Sequence, residues 1–237
     1  MKRSRTHGNQ VEDLAKEQLK EIGVDYFTKN EPINGEIDEA LKKADSKSGG
    51  RGGNFPDIKV FLEMPHRQYI PVVIEVKGIK NCLEKDAEHE ITNLTKKGEP
   101  DYTVIQKYAV NGAVHYAEAI INYAETYDHV IAIGINGHKD GTGQIHMEYG
   151  VYYVSRDNML IPKKIDSYED LSFLRQEQLE RLEQKIEEIF LSNEEKERRA
   201  FALENRIETV LQKLNQKMHD NLNIKAESRV QLVCGMI

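Results

Sequence analysis

Two neighbouring stretches in the first third of the chain are predominantly apolar, with charged residues at their ends. DIKVFLE and IPVVIEVKG are rich in β-branched and aromatic residues, which is typical of strands. The segment MPHRQ between them contains the proline and polar residues of a hairpin connection. The pattern therefore predicts two paired strands between residues 57 and 78.

Helical and strand patterns flank this hairpin. Asn9 and Glu12 form a capping-box pair ahead of apolar residues at helical spacing, and this helix should end at Gly23. VDYFTK predicts a short strand, and GEIDEALKKADSK a brief amphipathic helix. The polar stretch after Lys77 is expected to run over the surface. A long helix is predicted from Asp101, as N-cap, to about Thr126, and Tyr116 is expected to pack within its apolar stripe. HVIAIGIN and MEYGVYYVS predict two further strands joined by a glycine-containing hairpin loop. This order of helices and strands predicts an α/β fold.

The composition changes after about residue 165. From residue 167 onward the chain is charged, helical in pattern and almost free of glycine and proline. Ser167 and Asp170 are expected to open one helix, and Ser192 with Glu195 forms a capping box for another. We predict a domain over residues 1–165 and a helical arm over residues 166–237. The apolar stripe of the second helix suits either a hairpin on the domain or a self-associating coiled coil.

Composition also limits the classes of protein. No apolar run is long enough to cross a bilayer and the N-terminus lacks a signal-peptide core, so a cytoplasmic protein with no membrane partner is expected. Cys82 and Cys234 have no partners at zinc spacing. The net charge of −7 argues against general affinity for nucleic acid, although the acidic residues concentrate in the last third. Basic residues of the first part could still form a phosphate-facing patch: Lys2, Arg3, Arg5, Lys42, Lys43, Lys47 and Arg51.

Asp57, Glu75 and Lys77 are the candidate chemical groups. Strand alternation puts Glu75 and Lys77 on one face, and pairing of the two strands places Asp57 beside Glu75. Mg²⁺ prefers oxygen ligands and usually takes one or two carboxylates from a protein. Lys77 could hold or deprotonate a water, or stabilise charge on a phosphate. The residues indicate a metal-dependent phosphodiesterase; a surface salt bridge on an edge strand is the alternative.

Pro56-Asp57 followed by Glu75-Val76-Lys77 resembles the signature of the PD-(D/E)XK nucleases. The resemblance covers about the first 155 residues, whose predicted order is similar to the αβββαβ core of that family. It implies a mixed central sheet flanked by helices and followed here by the helical arm. It also implies DNA as substrate and Mg²⁺, with Mn²⁺ as substitute, held by Asp57, Glu75 and Val76.

The same resemblance implies roles for further residues. In many members an acidic residue on the first helix completes the metal site, and Glu12 is the matching position; helix capping is the equal alternative. Some relatives place Gln and Tyr on the helix after the Glu-x-Lys strand, but Gln106 is followed four residues later by Val110. Gln106, Lys107 and Asn111 are therefore candidates for phosphate contact, with a solvated helix face as alternative. Arg51 lies in SGGRGGN, which lacks a Walker ending and suits a flexible loop or phosphate contact.

The end of the chain, MHDNLNIKAESRVQLVCGMI, resembles the helical lead-in to the adenine-N6 methyltransferase domain of type I and type IIG restriction enzymes. It implies a fragment of a bacterial or archaeal restriction-modification polypeptide. A methyltransferase domain that uses S-adenosylmethionine and a target recognition domain would follow. The expected function is Mg²⁺-dependent cleavage of double-stranded DNA. A dimer of the chain would allow both strands to be cut. A repair or junction-resolving nuclease and a non-catalytic DNA or protein docking module are the alternatives.

Overall fold

The computed structural model describes residues 7–51, 55–65, 69–87 and 90–190, with residues 201, 207, 211–213, 216 and 217. The chain divides into two compact units, Met1–Ile189 and Phe190–Ile237. In the second unit the described residues from 201 onward are helical. The predicted cap at Ser192 and Glu195 and the methyltransferase-like end lie outside the described residues.

The first unit is a mixed α/β structure. The two strands predicted around Asp57 and Glu75 form and pair as expected, and apolar residues on both faces of each strand are buried. In chain order the elements are α1 (His7–Glu21), β1 (Tyr26–Thr28), α2 (Gly35–Lys43), β2 (Ile58–Glu63), β3 (Tyr69–Lys77), β4 (Asp86–Ala87), β5 (Glu90–Ile91), α3 (Tyr102–Lys107), α4 (Ala109–Tyr123), β6 (His129–Lys139), β7 (Ile145–Ser155), β8 (Lys163–Asp166) and α5 (Leu179–Ile189).

Six strands form the central sheet in the order β1-β2-β3-β6-β7-β8, and β4 pairs with β5 in a separate small sheet. Only the β3–β6 pairing is parallel among the sheet neighbours described; the other four are antiparallel. The crossover between β3 and β6 carries α3 and α4. The sheet is therefore mixed and flanked by helices.

Each face of the sheet has its own apolar core. On one face, α1 packs through Val11, Ala15 and Leu19 against the even-numbered residues of β2 and β3. On the other face, α2 and α4 pack against Val73 and the residues of β6 that point the same way. Glu75 and Lys77 are two and four residues beyond Val73, so strand alternation directs them to the α4 face. None of the described helices has both the length and the apolar character needed to cross a membrane.

The prediction of one continuous helix from Asp101 to Thr126 is wrong, because the structure has two helices there. Asp101 caps a helix as predicted, through its side chain and the N–H groups of Thr103 and Val104, but that helix ends at Lys107. Tyr108 is extended, at φ −104° and ψ 140°, before α4 begins. The backbone N–H groups that follow donate to the carbonyls of Cys82 and Leu83. This tertiary contact interrupts the helix.

Three other local predictions are corrected. Helix α1 begins at His7, so Asn9 lies inside it and is not its N-cap. Residues 172–178 form two 3-10 turns, and the helix expected from Ser167 begins only at Leu179. The stretch after Lys77 is not wholly a surface loop, because Cys82 and Ile91 are buried.

Residues 167–189 belong to the first compact unit, because Leu171, Phe173, Leu174, Leu179 and Leu182 join the core on the α1 face. The predicted domain boundary at residue 165 and the linker role of residues 166–237 stay predictions.

Candidate active site

The register of β2 and β3 brings Asp57 opposite Glu75. The two strands are antiparallel, and their last described pair at this end is Ile58 with Ile74. One step further along the same register, Asp57 faces Glu75, and residues directly opposite in an antiparallel pair share a face of the sheet. The predicted juxtaposition of these two carboxylates is therefore present in the structure.

The Asp57 side chain replaces strand pairing at this position. Its Oδ2 accepts a hydrogen bond from the backbone N–H of Val76 at 2.9 Å. Because the N–H and C=O of one strand residue point to the same side, the Val76 carbonyl also faces the side of β3 on which Asp57 lies. Asp57, Glu75 and the Val76 carbonyl thus line the point where β2 and β3 separate.

Glu75 is the most enclosed of the charged groups. Its side chain is 1% exposed, and its Oε1 accepts from the ammonium groups of both Lys47 and Lys77, the latter at 2.9 Å. Its Oε2 is buried and has no hydrogen-bond partner among the residues that the structure describes. A buried carboxylate oxygen without a partner is costly, so this oxygen is an available ligand position.

Two glycines make room for Glu75 beneath α4. Gly134 is the partner of Glu75 on β6, and a Cβ there would lie 2.3 Å from the backbone nitrogen of Val110. A Cβ at Gly112 would lie 3.1 Å from Cγ of Glu75. Both glycines therefore allow α4 to approach the sheet closely over the carboxylate.

The pKa of Asp57 reflects its burial beside the carboxylate of Glu75. Its pKa is raised to about 6, first by burial and then by the negative charge of Glu75. The Val76 N–H and Lys47 act in the opposite direction, and Glu12 adds a small upward effect. A carboxylate whose pKa is raised by a neighbouring carboxylate is also suited to share a cation with it.

Lys47 was not predicted as part of this site. It was grouped only with other basic residues, yet its ammonium binds Glu75 from 28 residues away in sequence and lies 5.4 Å from the centre of the Tyr116 ring. The chain carries no local signal for this placement, because it depends on how α2 and α4 pack together. The signal available was a lysine in the polar segment just before the Asp57 strand.

The segment that carries Lys47 is held in place on both sides. His115 Nε2 lies 2.8 Å from the Asp45 carbonyl, and the Tyr102 hydroxyl donates to the Asp45 carboxylate at 3.0 Å. Hydrogen bonds within residues 46–50 close a turn. The first part of the predicted flexible loop is thus an ordered turn, and burial lowers the pKa of His115, which favours its neutral form.

Two other polar groups of the site were missed. Tyr116, expected only to pack, has a buried hydroxyl with no hydrogen-bond partner among the described residues. Burial raises its pKa, and the negative charges of Glu75 and Asp57 raise it further. Asn136 is the register partner of Lys77, is fully buried and donates to Glu148 at 2.9 Å. Its position at the end of an apolar run, like that of Glu75, was the available signal.

Glu12 lies on α1, close enough to influence the pKa of Asp57. Its carboxylate pairs with Lys16, one turn further along the helix, and its side chain is 27% exposed. Since Asn9 is not the helix N-cap, the capping-box interpretation of Glu12 is wrong. Its role as a further acid stays a prediction.

Three of the four predicted phosphate-contact residues are exposed, and the fourth is buried. Gln106 and Lys107 are exposed on α3, and Arg51 is exposed after the turn that carries Lys47. Asn111 is fully buried. Its side chain bonds to the backbone of Lys85 and to Asn93, and so holds the segment after β3 against α4. The Asn111 amide is engaged inside the protein.

The donor set can be compared with the needs of a hard cation. Among the described residues no three His, Cys, Asp or Glu side chains come together as a metal site. The oxygen donors present are Asp57, Glu75 with its unpartnered Oε2, and the Val76 carbonyl. Mg²⁺ usually keeps several waters and takes one or two carboxylates, so this set fits it.

Comparison with known proteins finds a relative over about two thirds of the chain. The chain is 30% identical over 162 residues, 68% of its length, to the type II restriction enzyme and methyltransferase RM.BcgI of Heyndrickxia coagulans. This chain is similar to a restriction enzyme. It spans 23% of the length of that relative. No protein-family model matches the chain, and no solved structure is significantly similar to it.

Proposed function

We propose that this chain is the DNA-cleaving region of a restriction-modification enzyme and hydrolyses phosphodiester bonds with Mg²⁺. The observation that carries the proposal is the cluster at the end of β3, where Asp57 faces Glu75 and Lys77 lies 2.9 Å from the Glu75 carboxylate. The restriction enzyme relative supports this choice over a repair nuclease. We assign the cluster to the PD-(D/E)XK type on its residues and strand order.

Each residue of the cluster would have its own role in cleavage. Asp57, Glu75 and the Val76 carbonyl would hold the cation, and Glu12 would contribute a further carboxylate. When bound, Mg²⁺ stabilises negative charge on the phosphate and lowers the pKa of an attacking water. Lys77, anchored on Glu75 as an ammonium, would orient that water or stabilise the developing charge. Burial of Glu75 beneath α4 limits the solvent around these charges.

The proposal also covers the rest of the polypeptide. The relative's name joins a restriction enzyme and a methyltransferase. We propose that this chain likewise works beside a methyltransferase that uses S-adenosylmethionine and a target recognition domain, which would supply sequence specificity. Cleavage by the 237-residue chain alone is therefore expected to be slow.

The proposed function is tested by nicking of supercoiled plasmid by the full-length gene product in Mg²⁺, Mn²⁺ or EDTA. Wild type should cut only with metal. Asp57→Ala, Glu75→Ala and Lys77→Ala should each lose at least a hundredfold in rate, because each removes a group placed at the reacting phosphate. Glu63→Ala, at the exposed end of β2, is the control and should retain wild-type cutting.

Two outcomes would contradict the proposal. Equal nicking by wild type and the three site variants would separate cleavage from this cluster. Metal-dependent DNA binding without cutting by wild type would favour the docking-module alternative.

A further inference from the structure

Glu75 has an unusual set of partners for a proposed metal ligand. One of its oxygens accepts from two ammonium groups, Lys47 and Lys77, while the other has no partner among the described residues. Lys77 is adjacent on the same strand and is directed to Glu75 by the strand geometry itself. Lys47 comes from a separate segment, and its presence needs its own explanation.

Charge balance provides that explanation. Asp57 and Glu75 carry two negative charges when ionised, and Lys47 and Lys77 carry two positive charges. The four groups are therefore neutral without a cation. The side chains of Lys47 and Lys77 are only 11% and 18% exposed, so solvent screens these charges weakly. Adding a divalent cation while both lysines stay on Glu75 leaves an excess of two positive charges in a poorly solvated space.

Lys47 is the group that can leave. Lys77 is fixed on β3 by pairing with Asn136 of β6, whereas Lys47 lies on a turn outside the regular elements. The turn is anchored through Asp45, two residues earlier, and not through the lysine itself. A lysine side chain is long and rotatable, so its ammonium can exchange one anion for another while the turn stays in place.

We propose that Lys47 is a resident counter-ion of Glu75 that competes with a divalent cation for this carboxylate and moves to a substrate phosphate when the cation binds. This proposal rests on the proposed function, since it assumes that Glu75 is a metal ligand. Lys47 is then a positioning residue for Glu75 in the metal-free protein. It also keeps the affinity for free divalent cations low in the absence of DNA.

Calorimetric titration of the 237-residue chain with MnCl₂, without DNA, tests the proposal. Lys47→Met removes the competing charge and keeps the apolar stem, so Mn²⁺ should bind about tenfold more tightly or better than to wild type. Lys42→Met is the matched control, because Lys42 is an exposed lysine that pairs with Glu39 on the same helix. Its Mn²⁺ affinity should equal that of wild type. Lys47→Gln provides a second variant if Lys47→Met fails to fold.

Thermal unfolding adds a readout that does not need activity. In EDTA, Lys47→Met should melt below wild type, since Glu75 has lost one counter-charge. Saturating MnCl₂ should then raise its melting temperature more than that of wild type. A lysine with a purely structural role would lower stability and leave Mn²⁺ affinity unchanged or weaker.

The results separate this proposal from the proposed function. Binding of Mn²⁺ by wild type with equal or weaker affinity in both Lys47 variants overturns the counter-ion role alone. Absence of Mn²⁺ binding in wild type and both variants overturns the metal-dependent function, and the counter-ion role with it.

Discussion

Replacing Glu75 by Gln is expected to destabilise the metal-free protein by about 2–4 kcal/mol, because the ammonium groups of Lys47 and Lys77 lose a buried counter-charge. Glutamine has nearly the same shape, so the space beneath Gly112 remains filled. DNA cleavage by this variant should fall at least a thousandfold, since a metal ligand and the anchor of Lys77 are lost together.

Chemical denaturation in EDTA measures the stability change, and the plasmid assay measures the loss of cutting. Glu63→Gln, at an exposed strand end, should change neither. A Glu75→Gln protein as stable as wild type would mean that the two lysines do not depend on this carboxylate.

Asp57→Asn is expected to have the opposite effect on stability while also abolishing cleavage. The pKa of Asp57 is raised to about 6, mainly by burial and then by Glu75, so its ionised form is disfavoured in the folded protein. Asparagine is neutral and its side-chain oxygen can still accept from the Val76 N–H. In EDTA at pH 7 the variant should gain about 1–3 kcal/mol.

The stability difference between Asp57→Asn and wild type should increase with pH. A carboxyl whose pKa is raised on folding costs stability once it ionises, so the penalty is absent below the unfolded value of 3.8 and complete above about pH 6. The advantage of Asp57→Asn should therefore vanish near pH 4 and grow up to about pH 6. Denaturation curves of wild type and Asp57→Asn across this pH range test the prediction. A variant less stable than wild type at pH 7 would show that Asp57 serves mainly to cap β3.

The central pair of the site could be predicted from sequence because strand pairing is local. DIKVFLE and IPVVIEVKG are joined by a short connection, so their alternation fixes which residues share a face. Asp57 and Glu75 follow from that register. Lys47 and Tyr116 could not be placed in the same way, since Lys47 lies on the turn after α2 and Tyr116 on α4, and the packing of both on the sheet is tertiary.

The same distinction explains the errors in the fold. The residues around Tyr108 have helical spacing, but the N–H groups of Ala109 and Val110 donate to the carbonyls of Cys82 and Leu83. A pattern within the helix cannot reveal an acceptor from the segment after β3. Likewise, Leu171 and Leu174 show helical spacing, but both pack in the core while Leu174 lies in a 3-10 turn that begins just after Leu171.

The most direct test of the central claim, that Asp57 and Glu75 jointly hold a divalent cation, is the electron paramagnetic resonance signal of free Mn²⁺ in the presence of the protein. At protein concentrations above the dissociation constant of wild type, wild type should deplete this signal. Asp57→Asn and Glu75→Gln should each leave it largely intact, although one variant is more stable than wild type and the other less. Equal depletion by all three proteins would contradict the claim and place the cation elsewhere.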